Sequence, residues 1–136
     1  MAIELTNITV TILQSQWNYK FLMTIADMVV ASGLSYSVNI NAIPVPSYNV
    51  WGFRRSLDWL QFADPMDASA GIFVYRWIPP ALAGGSALSN VIRVFQPRIL
   101  TASNVGSAQT VLGSHVEIAS GTELAGFTLR VAAMGR

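Results

Sequence analysis

Alternation of apolar and polar residues with a period of two dominates the chain. The clearest run lies at 34–42, where every second residue is apolar and the residues between are Ser or Asn. Successive side chains of a strand point to opposite faces, so this run predicts a half-buried strand. Pro44 and Pro46 remove backbone donors and predict a bend or a sheet edge. An extended pattern resumes at 47–55, with Trp51 and Phe53 on one face.

The same signal predicts further strands. They lie around Ile8–Ile12 and at 72–78, 90–96, 110–119 and 127–132. Stretches rich in Gly, Pro, Ser and Asn separate the later ones, at 79–89, 101–109 and 119–126. Short strands joined by such turns predict a mainly β fold, either a β-sandwich or jelly roll or a small barrel. No repeat, linker or charged tail divides the chain, so a single β-rich domain over 1–136 is expected.

One or two short helices are also predicted. Ser15 is a candidate cap for a helix that ends at Gly33, with Trp17, Phe21 and Ile25 on one face. Residues 15–31 fit a strand as well, and periodicity alone does not decide between the two. The segment 56–65 predicts a short helix, because Ser56 suits its first position and Asp64–Pro65 its end.

Charge is scarce throughout the sequence. Charged residues make up 11% of the 136 residues and hydrophobic residues 52%, whereas charged residues usually approach 25%. The net charge of +1 provides no field that would attract nucleic acid or an anionic membrane. Ser, Thr, Asn and Gln must therefore form most of the polar surface.

Candidate catalytic and metal-binding residues do not form a constellation. The chain has no cysteine and a single histidine, His115, which faces away from its neighbour Ser114 if both lie on a strand. Asp64 and Asp67 do not match a calcium loop and suit turn positions. We therefore expect no enzymatic activity, no metal or organic cofactor and no small-molecule substrate.

The first residues and the longest apolar run bear on localisation. The start "MAIELTNITVTIL" lacks the basic and apolar regions of a signal peptide. Residues 21–31 are apolar except at Asp27 and Thr24, and they are fewer than the ~20 residues that a membrane-spanning helix needs. The sequence predicts a soluble protein that is made in the cytoplasm and does not contact a membrane.

Uncharged and aromatic residues predict a protein–protein interface. No charged residue occurs from Met28 to Phe53, and seven of the eight basic residues are Arg. Interfaces are enriched in Arg and aromatic residues and depleted in Lys. One arginine of the pair 54–55 is expected to pair with Asp58 and the other to reach a neighbouring subunit. The predicted interface residues are Trp51, Phe53, Arg54, Arg55, Trp59, Trp77, Pro79 and Pro80.

In its overall character the chain resembles the virion structural proteins of tailed bacteriophages. The features that carry the resemblance are the β pattern, the missing cysteine, the scarce charge and the abundance of Ser, Thr, Asn, Gly and Ala. Head decoration proteins and small tail or fibre components are the most similar in style. The resemblance implies assembly without catalysis, with copies of the chain itself and a larger particle protein as partners, and a location in the virion.

A carbohydrate-binding β-sandwich is the alternative interpretation. Sugar rings often stack on exposed aromatic side chains, and Trp51, Trp59 and Trp77 are the candidates. Such a site also needs hydrogen-bonding partners in the same cleft, for which Asp58, Asn49 and Arg76 are available.

Overall fold

A computed structural model of the chain describes residues 2–37, 42–63, 73–79, 90–104 and 107–136; for 98–104 and 107–114 it describes the backbone. Ten strands are present in these residues. Their bounds are β1 Ile8–Asn18, β2 Phe21–Val30, β3 Leu34–Ser35, β4 Ile43–Pro44, β5 Leu57–Phe62, β6 Val74–Ile78, β7 Val91–Asn104, β8 Ser107–Glu117, β9 Glu123–Leu124 and β10 Phe127–Gly135. Two 3-10 turns, Leu5–Asn7 and Tyr48–Trp51, complete the elements.

The strands form antiparallel sheets of a β-sandwich-like fold. The first sheet has the order β1-β2-β10-β5, and the second has the order β4-β7-β6 with β8 also paired to β7. A two-stranded sheet of β3 and β9 lies beside them. The predicted mainly β class is confirmed, and the strands described do not close into a barrel.

Residues 15–31 form strand and not helix. β1 continues through Asn18, the chain reverses at Tyr19 and Lys20, and β2 starts at Phe21. Tyr19 adopts a positive φ of 43° at the reversal. Every second residue of β2 is buried, from Leu22 to Val30. This strict alternation stabilises the strand, since one face of β2 covers the core and the other does not.

The short helix predicted at 56–65 is also wrong. Leu57–Phe62 is β5, an edge strand of the first sheet that pairs with β10. Its inward side chains Leu57 and Leu60 are buried. Burial against the core therefore overrides the capping signals of Ser56 and Asp58.

Of the strand predicted at 34–42, residues 38–41 lie outside the described residues. Leu34, Tyr36 and Ala42 are buried, and among the described residues of this run the strand β3 covers Leu34–Ser35. The extended pattern predicted at 47–55 is wrong, because Tyr48–Trp51 is a 3-10 turn that ends at Gly52. Gly52 has a φ of 86°, a conformation that glycine adopts without steric cost.

Four other strand predictions are confirmed. β6, β7, β8 and β10 occupy the predicted positions, but β7 and β8 extend much further towards each other than predicted. Most of the segment 101–109, predicted as a loop, is therefore strand.

Residues of all three sheets share one hydrophobic core. The first sheet contributes the inward faces of β2 and β10, and the second contributes Ile92 and Val94. Tyr75 joins the two layers, since its ring lies 5.5 Å from the ring of Phe127 and 6.4 Å from that of Phe62.

Gly135 is the tightest glycine position in the described chain. A β-carbon at this position would meet the carbonyl oxygen of Ser56 and lie 2.6 Å from the ring of Phe53. We expect Gly135→Ala to lower the free energy of unfolding by about 1–3 kcal/mol, the usual cost of overpacking. Denaturant unfolding measures this, with Ala132→Ser on the outer face of the same strand as the control. Equal stability of the two variants would contradict the packing described.

Candidate assembly surface

The hairpin of β1 and β2 exposes large apolar side chains around its turn. Trp17 is 63% exposed and Tyr19 is fully exposed, and Leu13, Phe21 and Met23 are each at least 39% exposed. These side chains lie on both faces of the hairpin, since β1 is exposed on both faces from Thr11 onwards. Large apolar side chains grouped around one exposed turn make the hairpin a candidate interaction site.

β1 is an edge strand without charged residues. In the part of the chain that the structure describes, β2 is its only strand partner, and no charged residue lies between Leu5 and Tyr19. Natural proteins protect edge strands with Lys, Pro, bulges or inward-pointing charges. β1 has one such feature, a bulge at Leu13. Its unpaired N–H and C=O groups therefore offer a template for another strand.

The outer face of the first sheet also exposes apolar side chains. The strand register aligns Trp59, Met134 and Met23 in one row across three strands. Ile25 and Ala132 form the next row and border a shallow depression of about 250 Å³. These two rows form an apolar strip on the outer face, and the β1 residues next to them are Gln14 and Gln16.

One ion pair lies in the middle of the outer face. Arg130 donates through Nε to Asp27 Oδ1 at 2.8 Å and through Nη2 to Asp27 Oδ2 at 3.0 Å. The hydrogen bond from Arg130 lowers the pKa of the Asp27 carboxyl, and the same bond raises the pKa of Arg130. Both groups stay charged at neutral pH and cancel each other, so the pair adds no net charge to the face.

Trp51 and Phe53 belong to the core, so their prediction as interface residues is corrected. Trp51 is fully buried and Phe53 is 4% exposed. The indole Nε1 of Trp51 donates to the carbonyl oxygen of Pro46 at 3.0 Å, and the Thr24 hydroxyl donates to the Trp51 carbonyl at 3.2 Å. Both rings therefore stabilise this chain and present no surface to a partner.

Arg54 and Arg55 are exposed, but the predicted pairing with Asp58 is wrong. Asp58 instead accepts from Arg136 Nε at 3.0 Å. The backbone N–H groups of Arg54, Arg55 and Ser56 all donate to the carbonyl oxygen of Arg136. These bonds fix the backbone of the arginine pair and leave its guanidinium groups at the surface.

The remaining predicted interface residues are dispersed. Trp59 is 39% exposed on the outer face. Trp77 is half-buried on the inner side of β6, where its Nε1 donates to Asn90 Oδ1 at 3.3 Å. Pro79 is exposed, and Pro80 lies outside the described residues. The three rings considered for sugar stacking therefore do not form one platform, since Trp51 is in the core.

The exposed residues of β1 and β2 were missed in the sequence because the segment also fits a helix. The signal that identifies them is the strict alternation of β2 together with the uncharged run from Leu5 to Tyr19.

A buried tyrosine connects the second sheet to the segment after β3. The Tyr36 hydroxyl donates to Glu117 Oε1 at 2.6 Å and accepts from the Val94 N–H at 3.2 Å. Glu117 also binds Arg93, with Nε at 3.1 Å and Nη2 at 2.7 Å from its two oxygens. Burial, followed by the hydrogen bond to Glu117, raises the pKa of the Tyr36 phenol.

Alkaline pH is expected to destabilise the fold through Tyr36. The stability that the raised pKa of Tyr36 contributes is fully present below the pKa of the unfolded state, near 10. It is lost as the pH rises towards the pKa of the folded state. The free energy of unfolding should therefore decline above about pH 10, and Tyr36→Phe should flatten that decline. Tyr36→Phe should also cost about 1–3 kcal/mol at neutral pH, because the Val94 N–H and Glu117 lose a partner.

Tyr19→Phe is the matched control, since Tyr19 is fully exposed. Unfolding curves from pH 8 to 11 measure both variants. The assignment to Tyr36 is refuted if the alkaline decline is the same in wild type and in Tyr36→Phe.

Among the described residues, the candidate catalytic and metal-binding side chains form no cluster. His115 is exposed on β8, opposite Pro97. Glu117, two residues on, is committed to Tyr36 and Arg93. No group of three or more His, Cys, Asp or Glu side chains that could hold a metal occurs among the described residues. Asp64 and Asp67 lie outside them.

Comparison with protein-family models, with curated proteins and with solved structures found no match. Function therefore has to be inferred from the surface itself. Among the described residues there is no helix of the length and apolarity that crossing a membrane requires.

Proposed function

We propose that the chain is a non-enzymatic structural protein that assembles with copies of itself, as a capsid decoration or tail component of a virion. The observation that carries this proposal is the uncharged edge of β1, flanked by the exposed Leu13 and Trp17. A protein that works as a free monomer exposes itself to aggregation with such an edge. An assembling subunit uses the same edge as a contact.

Two further observations support assembly over other functions. The outer face of the first sheet places Trp59 beside Met134 and Met23 without net charge. The chain carries a net charge of only +1, so copies approach one another without strong repulsion.

The virion context of the proposal comes from the resemblance in composition and pattern to tailed-bacteriophage structural proteins. Such a subunit contacts both its own copies and a larger particle protein. The proposal includes no nucleic acid, membrane or small-molecule partner.

Electron microscopy of the purified chain tests the proposed function. We expect regular oligomers or extended assemblies in negative-stain images at micromolar concentration. A glycan array serves as the second arm, because a carbohydrate-binding module is the alternative. A monomeric chain that binds a defined glycan would contradict the proposal and support the alternative.

A further inference from the structure

β1 differs from the other edge strands that the structure describes. It contains eleven residues, none of them charged. β6 has five residues with Arg76 at its centre, and β5 has six with Asp58 near its start. β4 has two residues and includes Pro44, and β8 ends at the charged Glu117. Among the described edges, β1 is thus the one that supplies a long partner strand without taking a charge or a proline into the contact.

The bulge at Leu13 divides β1 into two halves with different side chains. The pairing with β2 shows which of them lie on the core side, because the buried residues of β2 alternate. On the core side the first half carries branched apolar residues and the second half carries Ser15 and Trp17. On the outer side the first half carries threonines and the second half carries amides. The branched residues are Ile8, Val10 and Ile12, the threonines are Thr9 and Thr11, and the amides are Gln14, Gln16 and Asn18.

The two halves of β1 are complementary to each other. When two copies of β1 lie antiparallel, the first half of each meets the second half of the other. Opposite residues of an antiparallel pair point to the same face, and this condition is met on both sides of the bulge when Thr11 opposes Gln16. The hydroxyl of Thr11 then lies beside an amide with which it can form a hydrogen bond. On the core side Val10 opposes Trp17, a pair of branched and aromatic residues that stabilises neighbouring strands.

Trp17 is covered by this arrangement. Its side chain is 63% exposed in the single chain. Val10 lies at the margin of the core, where it is partly buried. The antiparallel contact places Trp17 of each copy against that margin of the other copy, so that both indole rings gain an apolar neighbour. A strand from another edge would have to supply such a neighbour at the Trp17 end of β1, whereas β1 itself supplies it by symmetry.

We propose that the β1 strands of two copies pair antiparallel about a two-fold axis, with Thr11 of each copy opposite Gln16 of the other. The four-stranded sheets of the two copies thereby join into one continuous sheet of eight strands. Two-fold contacts of a surface with itself are the commonest kind in oligomers. The inference rests on the proposed function and names the partner of the β1 edge. The pair is the unit from which larger assemblies are built.

Cysteine cross-linking between copies tests the contact, since the chain has no cysteine of its own. Thr11→Cys and Gln16→Cys each place a thiol at an exposed position on the outer side of β1. The two variants are co-expressed and treated with a short bismaleimide. We expect a cross-linked dimer that contains one chain of each variant, identified by its mass. Each variant alone should give little dimer, because its two thiols lie five residues apart along the strands, roughly 17 Å.

The controls separate this pairing from other contacts of β1. Val74→Cys on β6, an exposed position on another edge strand, should give no dimer with Gln16→Cys. A dimer of Gln16→Cys with Val74→Cys, or with His115→Cys on β8, in place of the dimer with Thr11→Cys overturns the inference, since another edge then occupies β1. Dimers of each β1 variant alone, in the yield of the mixture, also overturn it, because parallel strands bring identical positions opposite each other.

The remaining outcomes separate the inference from the proposed function. Oligomers in solution without a product between positions 11 and 16 overturn the β1–β1 contact and leave the assembly function intact. A monomeric mass in solution, without any cross-linked product, overturns both.

Discussion

Trp51→Ala is expected to lower the free energy of unfolding by about 3–5 kcal/mol, the usual range for the loss of a buried tryptophan. Trp51 is the largest fully buried side chain in the described chain, and its removal leaves a cavity in the core. The carbonyl oxygen of Pro46 also loses its donor, the indole N–H at 3.0 Å. For a domain of this size the midpoint of thermal unfolding should fall by about 10–20 °C.

Val50→Ala is the control for this substitution. Val50 precedes Trp51 in the same 3-10 turn and is 43% exposed, so its truncation should change stability by no more than about 0.5 kcal/mol. Thermal unfolding by circular dichroism, at one protein concentration for all variants, measures both changes. If Trp51→Ala is as stable as Val50→Ala, Trp51 does not contribute to the core as described.

Leu13→Lys combined with Trp17→Lys is expected to convert the assembled protein into a monomer without unfolding it. Both side chains are at least half exposed, so the substitutions leave the core intact. Two lysines on the edge of β1 carry charge into any contact with another strand, which is how natural edge strands avoid association. Desolvating an unpaired ammonium group in such a contact costs several kcal/mol.

Val74→Lys is the matched variant for the β1 substitutions. Val74 is an exposed apolar residue on β6, the edge strand of the second sheet. Sedimentation velocity should give the wild-type species for Val74→Lys and the monomer for the double variant, with similar unfolding midpoints. Unchanged assembly of the double variant would place the contact elsewhere on the molecule.

Strand positions with strict alternation could be predicted from the sequence. β10 and the first half of β7 follow a regular pattern of inward and outward side chains, and their predicted positions are correct. The helix predicted at 56–65 is wrong. For 15–31 the sequence fitted a helix or a strand, and the strand is correct, because Trp17, Phe21 and Ile25 match a helical spacing by chance. Capping residues and local helical contacts stabilise a helix weakly, whereas burying one face of a strand in a shared core stabilises the strand more.

The uncharged span from Met28 to Phe53 suggested a surface that a partner covers. The structure gives a simpler reason for it, since residues along the span such as Val30, Ile43 and Trp51 are buried within the chain itself. Sequence composition alone does not distinguish a segment buried in its own core from one buried in an interface. The distinction depends on contacts between distant segments, which the sequence pattern does not contain.

The exposed surface of β1 and β2 also depends on contacts between distant segments. The uncharged run from Leu5 to Tyr19 is visible in the sequence. Its position at the edge of a sheet is not, because that position depends on β10 pairing with the other side of β2. The full length of β7 and β8 could not be predicted either, because Ser, Asn and Gly at 101–109 fit a loop as well as a solvated strand.

The molar mass of the protein in solution tests assembly most directly. Light scattering coupled to size-exclusion chromatography, over a range of micromolar concentrations, should give a mass of several times 14.7 kDa that increases with concentration. A single monodisperse species of 14.7 kDa at high concentration, without precipitation, would contradict the account.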